Sequence, residues 1–185
     1  GVTLEQRVLG SFMNNATGYG KKDSGKKRAN EIIDFLDSLR SAGTLEPLLA
    51  GIIREASLSP YNYSSLTSDE AFKILCKDYL SAEPFLQNVF YLVDHSGLGR
   101  DAWNHLCIGS DMDGFVNPID IIPTATQYPY FKNRLRQIIP IYLHQRSGSP
   151  DNWKSYFDNT ETLDECLNLL FYESLRNFVT KWFRK

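Results

Sequence analysis

The sequence has few cysteines, little net charge and no long apolar run. Its three cysteines, Cys76, Cys107 and Cys166, include no CxxC pair and no histidine at metal-ligand spacing. Because each lies inside an apolar segment, we expect buried free thiols, and neither a disulfide framework nor a structural zinc site. No apolar stretch approaches the roughly 18 residues that a membrane-spanning helix needs. We therefore expect no membrane span in this chain.

The charge composition also excludes some partners. The 185 residues carry 20 Lys and Arg against 22 Asp and Glu, so the formal net charge is −2. This balance creates no global field that would recruit nucleic acid, and we expect no nucleic-acid partner. The three histidines, His95, His105 and His144, are each solitary in the sequence. A zinc centre needs a cluster of such ligands, so we expect no metal site within this chain.

Apolar residues at helical spacing predict about six helices. Gly43 is placed to end the first, and Thr67 with Glu70 forms a capping box that opens the third. Glu83 and Pro84 are expected to begin a separate fourth helix, so apolar that it requires cover on most sides. The predicted helices run approximately from Ala29 to Gly43, Thr44 to Ile53, Thr67 to Tyr79, Glu83 to Val93, Tyr128 to Tyr142 and Thr162 to Trp182, the last with a capping box of Thr162 and Glu165.

One short apolar run differs from the helical pattern. Leu106, Cys107 and Ile108 are followed by Gly109 and Ser110, which predicts a buried strand that ends in a turn. A second, weaker strand or extended arm is predicted at residues 2–10. The sequence therefore predicts a mainly α fold with one or two short strands. Its two segments, residues 1–84 with a partial strand, a loop and three helices, and residues 85–185, are expected to pack as one domain.

Two carboxylates, Asp111 and Asp113, follow the predicted strand and precede Gly114. Carboxylates just past the carboxyl end of a buried strand occupy the position where α/β barrel enzymes hold their catalytic groups. The alternative is that aspartate and glycine are common turn residues without a further role. A calcium loop at residues 109–120 is a second alternative, since Asp111, Asp113 and Gly114 fall at its third, fifth and sixth positions and resemble half of a dockerin repeat. Gly109 departs from that pattern because it offers no side-chain oxygen at the first position.

A longer stretch resembles the membrane dipeptidase (renal dipeptidase) family of the amidohydrolase superfamily. The most specific part runs from Ile108 to Gly114, reading Ile-Gly-Ser-Asp-Met-Asp-Gly, where the family has apolar residues, Gly-Gly-Asp or Gly-Ser-Asp, an aromatic residue, Asp and Gly. Met112 replaces that aromatic residue here. The similarity extends over residues 85–183, through Tyr91-Leu-Val-Asp-His-Ser-Gly97, the Tyr-Pro of residues 127–131 and the capped helix of residues 162–182.

This resemblance implies a TIM-like (β/α)8 barrel that hydrolyses dipeptides or related amides at a binuclear zinc centre. Asp111 matches the carboxylate that moves the proton at the end of the eighth strand, and Asp113 and Gly114 match residues that shape the turn. Such a barrel needs about 250 residues and eight strands. We therefore expect the chain to be a C-terminal fragment of the barrel, inactive by itself, with zinc and dipeptide-like substrate bound only by the parent enzyme. The expected partner is the missing N-terminal part of the barrel or a second copy of the chain.

A helical interaction module without catalysis is the alternative from a different class of protein. The apolar helices, the 13% aromatic content and the lack of clustered metal ligands favour it. Tyr61 and Tyr63 are candidate contact residues because aromatic side chains are enriched at interface hot spots. The sequence does not indicate a cellular compartment.

Overall fold

The computed structural model describes residues 22–57, 66–108 and 127–183, and helices dominate this part of the chain. Two 3-10 helices, Gly99–His105 and Asn152–Ser155, and a π-helical segment, Leu169–Glu173, separate some of the α-helices. The mainly α prediction is confirmed for the described residues. None of the described helices is both long and apolar enough to cross a bilayer. The α-helices are α1 (Lys22–Ser41), α2 (Glu46–Ser57), α3 (Ser68–His95), α4 (Tyr128–Ser147), α5 (Thr160–Asn168) and α6 (Ser174–Phe183).

The chain divides into two compact units, residues 1–80 and 81–185. In the first unit, Gly43 ends α1 with a positive φ of 74°, a conformation that glycine adopts without steric cost. The predicted capping box at the start of α3 is confirmed. The backbone N–H of Thr67 donates to Oε2 of Glu70 at 2.8 Å, and the N–H of Glu70 donates to the Thr67 hydroxyl at 3.3 Å. Helices α1 and α2 bury apolar side chains that include Ile32, Leu36, Leu49 and Ile52.

The separate helix predicted to begin at Glu83 and Pro84 is wrong, because α3 runs through both positions from Ser68 to His95. Proline inside a helix removes one backbone hydrogen bond and crowds the preceding turn. The helix tolerates Pro84 because the proline itself is exposed. Apolar residues before and after it in the sequence, such as Ala82 and Leu86, are buried. Burial of the apolar side of α3 outweighs the local cost of proline. The sequence pattern gives no measure of that burial.

An aromatic cluster forms the core of the second unit around Phe90 and Trp103. The Phe90 ring stacks on Tyr142 with centroids 5.6 Å apart and meets the Trp103 ring edge-on at 6.0 Å. Trp103 also lies 5.7 Å from the Phe157 ring. Both Phe90 and Trp103 are almost completely buried. This cluster joins the C-terminal half of α3 to the Gly99–His105 helix, α4 and the turn before α5.

The predicted strand at residues 106–108 is not found. Leu106 has an extended backbone, with φ −99° and ψ 136°, yet no residue from Leu106 to Ile108 pairs with another strand in the described part of the chain. The Ile108 N–H instead donates to the Leu170 carbonyl, in the π-helical segment, at 3.0 Å. Cys107 is exposed, so the expectation that all three thiols are buried is wrong for that residue and confirmed for Cys76 and Cys166. Three apolar residues specify an extended conformation, but a strand also needs a neighbouring strand.

The last long helical region begins three residues earlier than expected. Asn159 is the N-cap of α5, and its side-chain oxygen accepts a hydrogen bond from the Thr162 N–H at 2.8 Å. The Thr162 hydroxyl donates to the same oxygen at 2.9 Å. Thr162 therefore lies in the first turn and is not the cap that the predicted pairing with Glu165 required. The weaker strand or extended arm predicted at residues 2–10 lies outside the described residues.

Candidate functional site

The residues to which the sequence assigns chemistry, Asp111, Asp113 and Gly114, lie outside the described residues. The same is true of the possible calcium loop at residues 109–120 and of Tyr61 and Tyr63. What the structure describes is the segment that leads to Asp111. This segment consists of the Gly99–His105 helix and the extended residues 106–108.

The segment is anchored to the core of the second unit at its middle. Trp103 is 1% exposed, and its carbonyl accepts hydrogen bonds from the Ser174 hydroxyl at 3.1 Å and from the Leu106 N–H at 3.4 Å. Five residues after Trp103, the hydrogen bond from the Ile108 N–H to the Leu170 carbonyl fixes the end of the segment. The backbone immediately before the predicted acidic turn is therefore held by the helical region that spans α5 to α6.

A small apolar cleft lies beside this segment, and two histidines line it. Its volume is about 230 Å³, below the roughly 300 Å³ at which most small-molecule pockets begin. Gly97 and Gly99, both with positive φ, turn the chain back after α3, so that His105 faces the same cleft as His95. The lining residues are Leu92, His95, Ser96, Leu98, Ala102, His105 and Leu106.

Each histidine is solitary in the sequence, but the structure brings His95 and His105 to one cleft. The only signal for this in the sequence is the pair of glycines between them, which permits a sharp reversal. His95 has its Nδ1 2.8 Å from the Tyr91 carbonyl and its ring stacked on Tyr91 with centroids 4.2 Å apart. A carbonyl only accepts, so Nδ1 carries the proton and Nε2 is the acceptor in the neutral ring. The two contacts with Tyr91 therefore orient the His95 ring.

The described residues do not fit the zinc centre that the resemblance implies. No group of three or more His, Cys, Asp and Glu side chains in residues 22–57, 66–108 and 127–183 is arranged to hold a metal ion. His95 and His105 supply two nitrogen donors at most, whereas a catalytic zinc takes three protein ligands. No chemical step through zinc is therefore assigned to these residues.

The buried thiols are unsuited to nucleophilic chemistry. Burial raises the pKa of Cys76 to about 12 and that of Cys166 to about 11. The thiolate is the reactive form of cysteine, and at neutral pH it is a very small fraction of a thiol with such a pKa. These two cysteines act as core residues of α3 and α5.

A polar cluster joins the end of α3 to the end of α4. The Arg146 guanidinium donates to one carboxylate oxygen of Asp94 at 2.6 Å, and the Tyr156 hydroxyl donates to the other at 2.9 Å. Both oxygens of Asp94 thus have protein partners. The Tyr156 ring packs edge-on against Phe90 at 5.1 Å. The arrangement ties two helix ends and the Asn152–Ser155 turn together, which is a stabilising role.

Comparison with known proteins gives no family assignment. No protein-family model matches the chain, and neither a curated protein nor a solved structure matches it significantly.

Proposed function

We propose that this chain forms the C-terminal part of a zinc-dependent, dipeptidase-like amidohydrolase, with Asp111 as the carboxylate that moves the proton. The observation that carries the proposal is the order of residues from Ile108 to Gly114, an apolar position followed by Gly-Ser-Asp, one residue, Asp and Gly. The extended backbone at Leu106 and the anchoring of Ile108 to Leu170 support it. Both features concern the backbone up to Ile108, which lies three residues before Asp111 in the sequence.

Asp111 is assigned one chemical step. A carboxylate beside the scissile amide can take a proton from the attacking water and pass it to the leaving nitrogen. Asp113 and Gly114 are assigned to the turn that orients Asp111. The metal ligands belong to the preceding part of the barrel, so the chain alone is proposed to be inactive, and its catalytic partner is that preceding part.

The test compares the longest protein that the gene encodes with the 185-residue chain. Each is loaded with zinc and assayed against a panel of dipeptides. We expect hydrolysis by the longer protein and none by the chain alone. Asp111→Asn in the longer protein should lower kcat by about 10²-fold to 10⁴-fold, the usual contribution of general acid–base catalysis. The bound zinc, measured by atomic absorption, should stay unchanged, because Asp111 is not assigned as a ligand.

Asp113→Asn is the matched control, because it makes the same chemical change two residues away. It should lower kcat by less than about tenfold, since the turn residue does not move the proton. Full activity of the Asp111→Asn variant would contradict the proposal, as would loss of zinc from it. A calcium titration tests the remaining alternative. A rise in Tm with calcium that both substitutions abolish would support the loop at residues 109–120 and not the hydrolase.

A further inference from the structure

The C-terminal helix α6 exposes a continuous row of large apolar side chains. Phe178 is 55% exposed, Trp182 65% and Phe183 72%. Only Ser174, at the first position, is buried, where its hydroxyl is bonded to the Trp103 carbonyl. Helix α6 is thus attached at one end and exposed along the rest of its length. We name its exposed apolar row, with the preceding tyrosine, the α6 face: Tyr172, Leu175, Phe178, Val179, Trp182 and Phe183.

The spacing of these residues makes α6 amphipathic. Leu175, Phe178, Val179 and Trp182 follow the i, i+3, i+4, i+7 pattern that places side chains on one side of a helix. Together with Tyr172 and Phe183, they expose on the order of 600 Å² of apolar surface, estimated from the area of aromatic side chains. That is at the upper limit of the largest apolar patch on an ordinary monomer. Apolar patches of this size are often functional.

The charge of α6 indicates what the α6 face binds. Arg176 and Lys181 are its charged residues, and no acidic residue occurs from Ser174 to Phe183. The sequence continues with Arg184 and Lys185, so positive charge is concentrated here although the whole chain carries −2. A second copy of α6 would bring the same cations together. An anionic surface complements them.

The cations lie beside the exposed aromatic rings. The Arg176 guanidinium is 5.4 Å from the centre of the Tyr172 ring, and the Lys181 ammonium is 5.5 Å from that of Trp182. Tyrosine and tryptophan favour the boundary between the headgroups and the acyl chains of a bilayer, where cations reach the phosphates. Basic residues on one side and Trp, Phe and Leu on the other are the composition of helices that lie in this boundary.

We propose that α6 binds the surface of anionic phospholipid membranes, with the α6 face in the headgroup boundary and with Arg176 and Lys181 on lipid phosphates. The helix lies on the bilayer and does not cross it. This inference is independent of the proposed hydrolase function, because it uses no residue of the predicted acidic turn. Dipeptide hydrolysis tests the hydrolase, and vesicle binding by the 185-residue chain tests the α6 face, so the two failures can be told apart.

The test is co-sedimentation of the 185-residue chain with vesicles, one set of phosphatidylcholine alone and one with roughly one-third phosphatidylserine. We expect binding to the anionic vesicles that exceeds binding to the neutral ones by at least about tenfold, and that weakens as salt rises from about 0.1 M to 0.5 M. Phe178→Asp should weaken anionic binding by at least about tenfold, because it replaces an exposed aromatic side chain, proposed to insert among the lipids, with a charge. Arg176→Gln and Lys181→Gln should each weaken it about fivefold and leave neutral binding unchanged.

Asn177→Asp is the control for charge, since it adds the same negative charge on the polar side of α6. Asn177→Asp should weaken binding to the anionic vesicles about fivefold, which is less than the loss expected for Phe178→Asp. Circular dichroism of each variant checks the fold. Equal binding to both vesicle sets, no binding at all, or equal losses for Phe178→Asp and Asn177→Asp would overturn the proposal. A dimer in sedimentation velocity that Phe178→Asp dissociates, without vesicle binding, would show that a second copy covers the α6 face and would overturn it too.

Discussion

Helices α3 and α6 both carry apolar residues at helical spacing, but they bury them to opposite extents. In α3, buried residues occur along the helix in each of the two units, from Ala71 to Tyr79 and from Ala82 to Val93. In α6, Leu175, Phe178 and Trp182 are more than half exposed. The spacing of apolar residues therefore specifies that a helix has an apolar side. What covers that side is determined by other parts of the chain or by a partner.

Removing one phenylalanine ring from each helix should show the largest difference between buried and exposed apolar residues. Phe90→Ala should lower the free energy of unfolding by about 3–5 kcal/mol, because the Phe90 ring is fully buried among Trp103, Tyr142 and Tyr156. Phe178→Ala should change it by less than about 0.5 kcal/mol, as an exposed side chain leaves no cavity. Urea denaturation of both variants without lipid measures the difference. Similar losses would show that the α6 face is covered in solution.

Proline gives the second contrast, between the interior and the first turn of a helix. Pro84→Ala in α3 should raise the free energy of unfolding by roughly 1–2 kcal/mol, because alanine restores a backbone donor inside the helix. The matched control is Pro47→Ala at the second residue of α2, where the N–H gained with alanine would have no intrahelical acceptor. That change should be within about 0.5 kcal/mol of zero. Equal effects at the two positions would mean that Pro84 is already relieved by local distortion.

The local chemistry of helix ends could be predicted from the sequence. Gly43 and the pair of Thr67 and Glu70 act as expected, since each stops or caps a helix through neighbours within three residues. The Pro84 prediction was wrong because burial on both sides of it outweighs a local rule. The strand at residues 106–108 was wrong for a similar reason, as strand pairing depends on distant residues and the Ile108 N–H bonds to a helical carbonyl.

The candidate site, too, could be predicted only where it depends on the local sequence. The roles assigned to Asp111, Asp113 and Gly114 depend on their order in the sequence alone. These roles stay predictions because the three residues lie outside the described part of the chain. The approach of His95 and His105 to one cleft could not be predicted, since it depends on how Gly97 and Gly99 turn the chain. Nothing in the spacing of two histidines ten residues apart fixes that turn.

The N-cap of α5 gives a smaller expected effect than the two helix contrasts above. Asn159→Ala should lower the free energy of unfolding by about 1 kcal/mol, because it removes the acceptor for both the N–H and the hydroxyl of Thr162. Glu165→Ala is the control, since Glu165 is the partner in the capping box that the sequence predicted. It should change stability by less than about 0.5 kcal/mol. The losses of stability are measured by thermal unfolding. A larger loss for Glu165→Ala than for Asn159→Ala would support the predicted capping box of Thr162 and Glu165.

Tyr156 gives the smallest expected effect, and its effect depends on pH. Burial and the hydrogen bond to Asp94 raise the pKa of Tyr156 above its ordinary value near 10. Because folding favours the neutral phenol, its contribution to stability is complete below pH 10 and is lost as pH rises through the raised pKa. Tyr156→Phe should therefore cost about 0.5 kcal/mol at neutral pH and progressively less above pH 10.

Tyr91→Phe controls for the loss of a hydroxyl without this environment, since the Tyr91 side chain is exposed and the His95 ring stacks on its aromatic face. Unfolding by urea at several pH values between about 8 and 11 measures both variants against the unmodified chain. The difference between the Tyr156→Phe variant and the unmodified chain should shrink with rising pH, and the Tyr91→Phe difference should stay near zero. A Tyr156→Phe difference that is constant with pH would show that the hydroxyl stabilises the fold by packing alone. In that case Asp94 would hold the helix ends together through Arg146.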